Sequence, residues 1–170
     1  RRDETVRLAL SVTDVHDAVM VAARLLEIAT DDAKAITEER DAIELEETRH
    51  SMGLAAGEAV PAGMRSQLRS LEEQQKRRET RSLRDGLDRI LVDLFSVYRD
   101  VVRIQLGVDE DCLNMEYRDD LNRLAHALSP QEVLNVTDAI AEARVRISGN
   151  VSPVLALEAM MITATPRRVA

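Results

Sequence analysis

Residues that could carry out chemistry are few in this sequence and are spread along it. Glu47 and His50 have the three-residue spacing that di-iron helical bundles use in each of their two Glu-x-x-His ligand pairs. A complete site of that kind needs a second pair and two more glutamates. The other histidines, His16 and His126, have no glutamate at that spacing. The sequence therefore predicts a solvated helix surface at Glu47 and no bound metal.

The sequence also gives little support for a nucleophilic catalytic site or for a nucleotide-binding site. The single cysteine, Cys112, follows three acidic residues whose negative charge disfavours a reactive thiolate. The run Ile-Leu-Val-Asp at 90–93 is similar to the apolar stretch that precedes a magnesium-binding aspartate in nucleotide hydrolases, but it fits a helical stripe better. The phosphate-binding glycine loops GxxxxGK and GxGxxG are both missing from the sequence. We expect no catalytic residue and no cofactor.

The composition excludes several further functions. There are 23 Lys and Arg residues against 31 Asp and Glu, a net charge of −8, whereas a protein that mainly grips nucleic acid is usually basic. Two tyrosines and one phenylalanine are the only aromatic residues, which leaves little for base stacking. The most apolar stretch, at 154–162, is far shorter than the roughly 20 residues that cross a bilayer, and no signal peptide is expected. We predict a cytoplasmic protein with no membrane partner and no direct nucleic-acid contact.

Glycine and proline divide the chain into tracts that favour helix. The 6 glycines and 4 prolines are clustered, and the first 52 residues contain neither. The tracts between them are rich in Ala, Leu, Glu and Arg, and none alternates apolar and polar residues as a strand would. We predict an all-α fold, a helical bundle with a long antiparallel helical hairpin. Residues 1–10 are expected to end a helix, 11–165 to form the bundle and its hairpin, and 166–170 to form a tail.

Two long helices form the predicted hairpin. The first is capped by Thr13 and extends to His50, and its narrow apolar stripe of period 3.5 suits a nearly antiparallel neighbour. The second starts after a loop at 51–63 and ends at Gly107, and Gly86 within it allows a bend. The stripe of the first helix consists of Val15, Val19, Ala22, Leu26, Ala29, Ala33 and Ile36. The stripe of the second consists of Leu83, Leu87, Ile90, Leu94, Val97, Val101 and Ile104.

The segments on either side of that loop carry opposite charge. Residues 38–49 contain six acidic and two basic residues, and residues 65–81 contain six basic and three acidic residues. We predict that 38–81 is a charged antiparallel arm that projects from the bundle and is held in part by surface ion pairs between its two helices. The basic segment also fits a phosphate-binding helix, but the net negative charge of the chain favours pairing within the arm.

The C-terminal third has the clearest helix boundaries. Asn114 can cap a short helix that ends near residue 127, and Ser-Pro-Gln-Glu at 129–132 is a capping-box sequence with proline at the first helical position. Ser-Pro at 152–153 begins a last helix that is apolar around nearly its whole circumference, as in a helix at the centre of a bundle or beneath another subunit. The helix before it is expected to bury Val133, Val136, Ile140, Ala143 and Ile147.

A recognisable pattern extends over about residues 83–162. It consists of a leucine-rich helix at 83–107, Leu-Ala-x-x-Leu-Ser at 124–129 and, most specifically, IAEARVRISGNVSPVLALEA at 140–159. With this pattern the sequence resembles the C-terminal domain of the delta prime subunit of bacterial DNA polymerase III, a clamp-loader component. Members of that family commonly have an Arg-containing helix, then Asn-x-Asn-Pro and Leu-Ala-Leu-Glu. This chain has Ser152 where the second Asn is usual, and Met-Met-Ile at 160–162 where leucines are common.

The resemblance implies a collar domain. In that family the collar domains of the delta, delta prime and gamma/tau subunits form a ring that organises the ATPase domains while the sliding clamp is loaded on primed DNA. The expected partners are gamma/tau and delta, with the clamp and DNA reached indirectly, and residues 1–10 would continue a helix of a preceding lid domain. The chain itself is expected to lack enzymatic activity, although its parent complex is a polymerase with clamp-loader ATPase activity. The candidate contacts with neighbouring subunits are Leu94, Tyr98, Val101, Leu155, Leu157, Met160, Met161 and Ile162.

A function of another class stays open at this point. The chain could be a free-standing helical adaptor or regulator that binds one protein partner through the charged arm at 38–81. That interpretation predicts a stable monomer in which the last helix is fully buried, whereas a collar domain leaves part of that helix to a neighbouring subunit.

Overall fold

A computed structural model describes residues 1–54, 58–108 and 112–166. It confirms the all-α fold, since no strand occurs in those ranges. Single 3₁₀ turns precede the third and fourth helices, at Ala62–Met64 and Met115–Tyr117. The helices are α1 (Arg2–Ser11), α2 (Val15–Ser51), α3 (Arg65–Gln105), α4 (Arg118–Ala127), α5 (Pro130–Ser148) and α6 (Pro153–Thr163).

The helices form two compact units, and α2 and α3 contribute to both. The first unit contains Arg1–Ile28 and the described part of 87–170, and the second is Ala29–Gly86. The predicted arm at 38–81 falls inside the second unit. The division into 1–10, 11–165 and 166–170 stays a prediction, although 2–10 are helical and Val6 is fully buried in the first unit.

The start of α2 differs from its prediction. The cap is Asp14, whose carboxylate accepts a hydrogen bond from the backbone N–H of Asp17 at 3.0 Å. Thr13, the predicted cap, instead donates its hydroxyl and its backbone N–H to the Asp17 carboxylate, at 2.6 and 3.0 Å. These two hydrogen bonds lower the pKa of the Asp17 carboxyl below its ordinary value.

The buried face of α2 is also displaced from the predicted stripe. Ala22, Ala29 and Ala33 are buried as predicted, whereas Val15 and Ile36 at the ends of the stripe are exposed. A strict 3.5-residue repeat drifts around a helix of 3.6 residues per turn, so a straight helix cannot bury both ends of it. The buried residues are Ala18, Val21, Ala22, Leu25, Ile28, Ala29, Ala33 and Thr37.

The last two helices follow their sequence signals closely. The Ser129 hydroxyl accepts the backbone N–H of Glu132 at 3.3 Å, and the Glu132 carboxylate accepts the backbone N–H of Ser129 at 2.8 Å, which completes the predicted capping box. Helix α5 ends at the predicted Gly149, and α6 begins at Pro153. The five residues predicted to be buried in α5 are all buried.

Candidate interaction surface

A buried polar network fixes the segment between α3 and α4 in the first unit. The carboxylate of Asp100, which has no solvent exposure, accepts the backbone N–H and the Nδ2 of Asn114 at 2.8 and 2.7 Å. Arg99 donates to its other oxygen at 2.8 Å. The Asn114 side-chain oxygen accepts from Arg2 of α1 at 2.6 Å. The Asn114 side chain therefore joins three parts of the unit. Asn114 is the N-cap residue of the 3₁₀ turn before α4, as predicted in position, but its side chain makes no capping hydrogen bond.

Helices α3 and α5 lie side by side and antiparallel. At one end Arg144 donates to the two carboxylate oxygens of Asp88 at 2.7 and 3.2 Å. At the other end the Gln105 side chain donates to the backbone carbonyls of Ala125 and Leu128, just before α5 begins, at 3.0 and 2.7 Å. The outward faces of α3 and α5 are thereby held in a fixed relation to each other.

The eight candidate contacts divide into two groups. Six of them are core residues of this chain: Leu94, Tyr98, Val101, Leu157, Met160 and Met161. The Tyr98 hydroxyl has no hydrogen-bond partner among the described residues, and burial raises the pKa of this side chain well above its ordinary value. The other two, Leu155 and Ile162, are 59% and 43% exposed. A contact with a neighbouring subunit through Leu155 and Ile162 stays a prediction that the surface of α6 allows.

Helix α3 has an exposed apolar stripe that sequence reasoning missed. Val92 and Phe95 of α3 and Leu106, the residue directly after this helix, are 48%, 44% and 71% exposed, and half-buried Val102 lies between them on the same side. The spacing of these residues was a visible signal, because it is a second helical series interleaved with Leu94, Val97 and Val101. The spacing alone does not show which of the two series is exposed and which is buried.

Exposed apolar side chains also follow the outer face of α6. Leu155, Ala159 and Ile162 recur at intervals of four and three residues, so they lie in one row. Beside Ile162 a groove of about 660 Å³ is lined by Val15 at the start of α2 and by Asn135 of α5. Aligned apolar rows of this kind are typical of protein–protein contact surfaces, whereas single exposed apolar residues are not.

No metal site takes shape among the described residues: they include no group of three or more His, Cys, Asp and Glu side chains that could hold an ion. Glu47 and His50 are exposed on α2, as the sequence predicts. Cys112 is half-buried, and the three acidic residues before it lie outside the described residues. Within the described ranges, no helix combines the length and apolar character that a membrane span requires.

Comparison with known protein families shows to which family the chain belongs. The family model described as DNA polymerase III, delta subunit, C terminal matches residues 67–165, more than half of the chain. The chain belongs to this family of C-terminal domains of the DNA polymerase III delta subunit. The match covers nearly all of α3 and the whole of α4, α5 and α6, which contain both apolar stripes.

The family match confirms a domain of a clamp-loader subunit of DNA polymerase III. Its description names the delta subunit, whereas the resemblance in sequence indicated delta prime, so the delta prime assignment is not confirmed. No curated protein and no solved structure matches the chain.

Proposed function

We propose that this DNA polymerase III family domain is a non-catalytic assembly domain of the bacterial clamp loader. One observation carries the proposal: the region that matches the family includes two helices that expose aligned apolar rows. Exposed large apolar side chains are costly in water, and burying them against another subunit is the ordinary way in which an assembly domain uses them. The domain would act in the cytoplasm, where its partners are the collar domains of the other proteins of the clamp loader.

A ring position requires two different contact surfaces. In a head-to-tail ring each subunit presents one surface to the neighbour before it and another to the neighbour after it. The α3 row of Val92, Phe95 and Leu106 and the α6 row of Leu155, Ala159 and Ile162 lie on different helices and share no residue. We assign one row to each neighbour, and the sliding clamp is then reached through the assembled loader.

The type of subunit is the finer part of the proposal. The family description favours a delta-type subunit, and the resemblance in sequence favours delta prime with gamma/tau and delta as neighbours. The two assignments predict different complexes. A delta prime domain joins a mixture of gamma/tau and delta, whereas a delta domain joins a mixture of gamma/tau and delta prime.

Size exclusion with light scattering tests the proposal directly. The chain is mixed with gamma/tau of the same organism together with either delta or delta prime, and the mass of each complex is measured. We expect one mixture to incorporate the chain stoichiometrically. Phe95→Asp and Ile162→Asp are each expected to abolish incorporation, because a carboxylate in a desolvated apolar contact has no partner.

Met20→Asp is the matched control. Met20 is an exposed apolar residue of the first unit, but it lies outside the segment that matches the family. It is expected to leave incorporation unchanged. Failure of the chain to join either mixture, or equal loss of incorporation in all three variants, would contradict the proposed assembly role.

A further inference from the structure

We propose that one face of the first half of α3 binds the phosphate backbone of double-stranded DNA. Five basic residues recur along this face at helical spacing, and all five are exposed: Arg65, Arg69, Lys76, Arg77 and Arg81. They extend over about 24 Å of helix, at 1.5 Å per residue. The face is therefore one broad side of the helix, about 160° wide at 100° per residue, that carries five positive charges on a chain whose net charge is −8. We name it the basic face.

The acidic helix α2 does not neutralise the basic face. Within the second unit, α3 contacts α2 through Gln75 and Arg78, which lie on its other side. Gln75 donates to the Asp41 carbonyl at 2.9 Å, and Arg78 donates to the carboxylates of Asp41 and Glu44 at 2.5 and 3.0 Å. Arg78 thus forms ion pairs of the kind predicted across the arm.

Three cations of the basic face are unpaired. Among the described residues, Arg69, Lys76 and Arg81 have no side-chain hydrogen bond and no ion pair, so the prediction of pairing is wrong for these three. Arg77 lies 4.0 Å from Glu73, the acidic residue that interrupts the face. Three uncompensated cations on one side of one helix attract a polyanion more strongly than isolated surface charges do.

Hydroxyl groups accompany the cations. One shallow groove of about 560 Å³ is lined by Arg65, Ser66, Arg69 and Ser70, and the next, of about 600 Å³, is lined by residues that include Lys76, Thr80 and Arg81. Glu73 lines both grooves, and Asp85 lines the second. Arg, Lys, Ser and Thr are the side chains that most often contact phosphate oxygens in protein–DNA complexes. The basic face therefore supplies charge and neutral hydrogen-bond donors over the same stretch of helix.

The absence of other side-chain types on the basic face favours duplex DNA over other polyanions. Between residues 65 and 82 this face has no apolar residue to insert into a lipid surface or to form the apolar centre of a protein interface, and Leu83, which follows at its edge, is half-buried. It also has no aromatic residue on which the bases of a single strand could stack. A duplex offers about one phosphate charge per 1.7 Å of its axis, which suits a face of cations without base readout. The choice of DNA rests on the proposed function in a replication complex.

The test is DNA binding by the whole 170-residue chain in the absence of other subunits. Fluorescence anisotropy of a short labelled duplex is measured over a series of salt concentrations. The triple variant Arg69→Ala, Lys76→Ala and Arg81→Ala is expected to bind about tenfold or more weakly at low salt. Its slope of log affinity against log salt is expected to be smaller by about 3, because each lost phosphate contact removes about one unit.

A second triple variant controls for net charge. Lys34→Ala, Arg89→Ala and Arg123→Ala remove three exposed cations elsewhere, and alanine keeps the helices intact. We expect this variant to keep the affinity and the salt slope of the unsubstituted chain. No binding by the unsubstituted chain at low salt, or an equal loss in both triple variants, would overturn the proposal.

Competition experiments with unlabelled polyanions test which class of partner the basic face binds. Unlabelled duplex should displace the labelled duplex, and polyglutamate at the same charge concentration should not. Displacement by polyglutamate would assign the face to an acidic protein, and sedimentation with anionic vesicles without DNA binding would assign it to a membrane. Either result overturns the proposal. The basic-face variant is also expected to join the clamp-loader mixture as the unsubstituted chain does. Loss of DNA binding can therefore be distinguished from loss of assembly.

Discussion

The carboxylate of Asp100 in α3 holds Asn114, fourteen residues later, by two hydrogen bonds that are both buried, at 2.8 and 2.7 Å. Neither residue is accessible to solvent. Because Asn114 also accepts a hydrogen bond from Arg2, this pair ties the end of α3 and the beginning of α1 to the segment that leads into α4. The pair is the polar centre of the unit that carries both proposed contact rows.

Removing Asp100 should therefore be costly. Asp100→Ala leaves the backbone N–H of Asn114 buried without an acceptor, and it leaves the side-chain amide of Asn114 with the Ser96 hydroxyl, at 3.2 Å, in place of a carboxylate. We expect the free energy of unfolding to fall by about 2–4 kcal/mol, since each buried unsatisfied group costs about 1–3 kcal/mol. Urea denaturation followed by circular dichroism measures the change.

Asp138→Ala is the control for loss of a carboxylate from a helix of the same unit. Asp138 is exposed on α5, so its substitution is expected to change stability by no more than about 0.5 kcal/mol. If Asp100→Ala were as mild as Asp138→Ala, the buried hydrogen bonds to Asn114 would not contribute as the geometry indicates.

The sequence allowed prediction of those features that depend on neighbouring residues. The capping box at Ser129 and Glu132 needs only a side chain and a backbone N–H three residues apart, so its residue types specify it. The buried face of α5 follows from one clear apolar series. The Asp100–Asn114 pair was not predictable, because it depends on how the chain returns to α3 and not on any local pattern.

The contact surface illustrates the same limit. Helix α3 carries two apolar series, one through Leu94 and Val101 and one through Val92 and Phe95, and spacing alone does not tell which one faces the core. The candidates chosen from α3 all belong to the buried series. Helix α6 is apolar all round, so its exposed residues, Leu155 and Ile162, became distinguishable only when the packing of its other side was known.

The ion pair of Glu44 and Arg78 should make the stability of the second unit depend on pH. The hydrogen bond from Arg78 holds the pKa of Glu44 below its ordinary value of 4.5, which applies to the unfolded chain. The pair therefore stabilises the fold fully above pH 4.5, and this contribution is lost as the pH falls through the lower folded-state pKa.

Thermal melting of Glu44→Gln tests this dependence. The difference in melting temperature between the unsubstituted chain and Glu44→Gln should be largest near neutral pH and should shrink as the pH falls to about 3. Glu46→Gln, an exposed neighbour on α2, should show a small difference at every pH. A Glu44→Gln difference that stays constant over this range would rule out the ion pair as its source.

Gly86 lies in the interior of α3 against Ala29 of α2, and both residues belong to the second unit. A Cβ at this position would lie 3.5 Å from the Ala29 carbonyl oxygen and 3.6 Å from its Cβ, which is ordinary van der Waals contact. Helix α3 continues through Gly86, so Gly86→Ala should raise the free energy of unfolding by about 0.5–1 kcal/mol through helix propensity.

Gly86→Leu provides the opposite outcome at the same position. Its larger side chain has no room beside Ala29 and is expected to cost about 1–3 kcal/mol by overpacking. Both values come from urea denaturation. If Gly86→Ala destabilised the chain by more than about 1 kcal/mol, α2 and α3 would have to lie closer together at Ala29 than the 3.5 Å distance to the added Cβ indicates.

Leu155 and Leu157 form a matched pair on α6, one exposed and one fully buried. Leu157→Ala should lower the free energy of unfolding by about 2–5 kcal/mol, because it leaves a cavity in the core. Leu155→Ala should change it by less than about 0.5 kcal/mol and should weaken incorporation into the clamp-loader mixture instead. Urea denaturation and light scattering measure the two effects. Loss of stability in both variants would make α6 a core helix throughout, and the α6 contact row would then have to be abandoned.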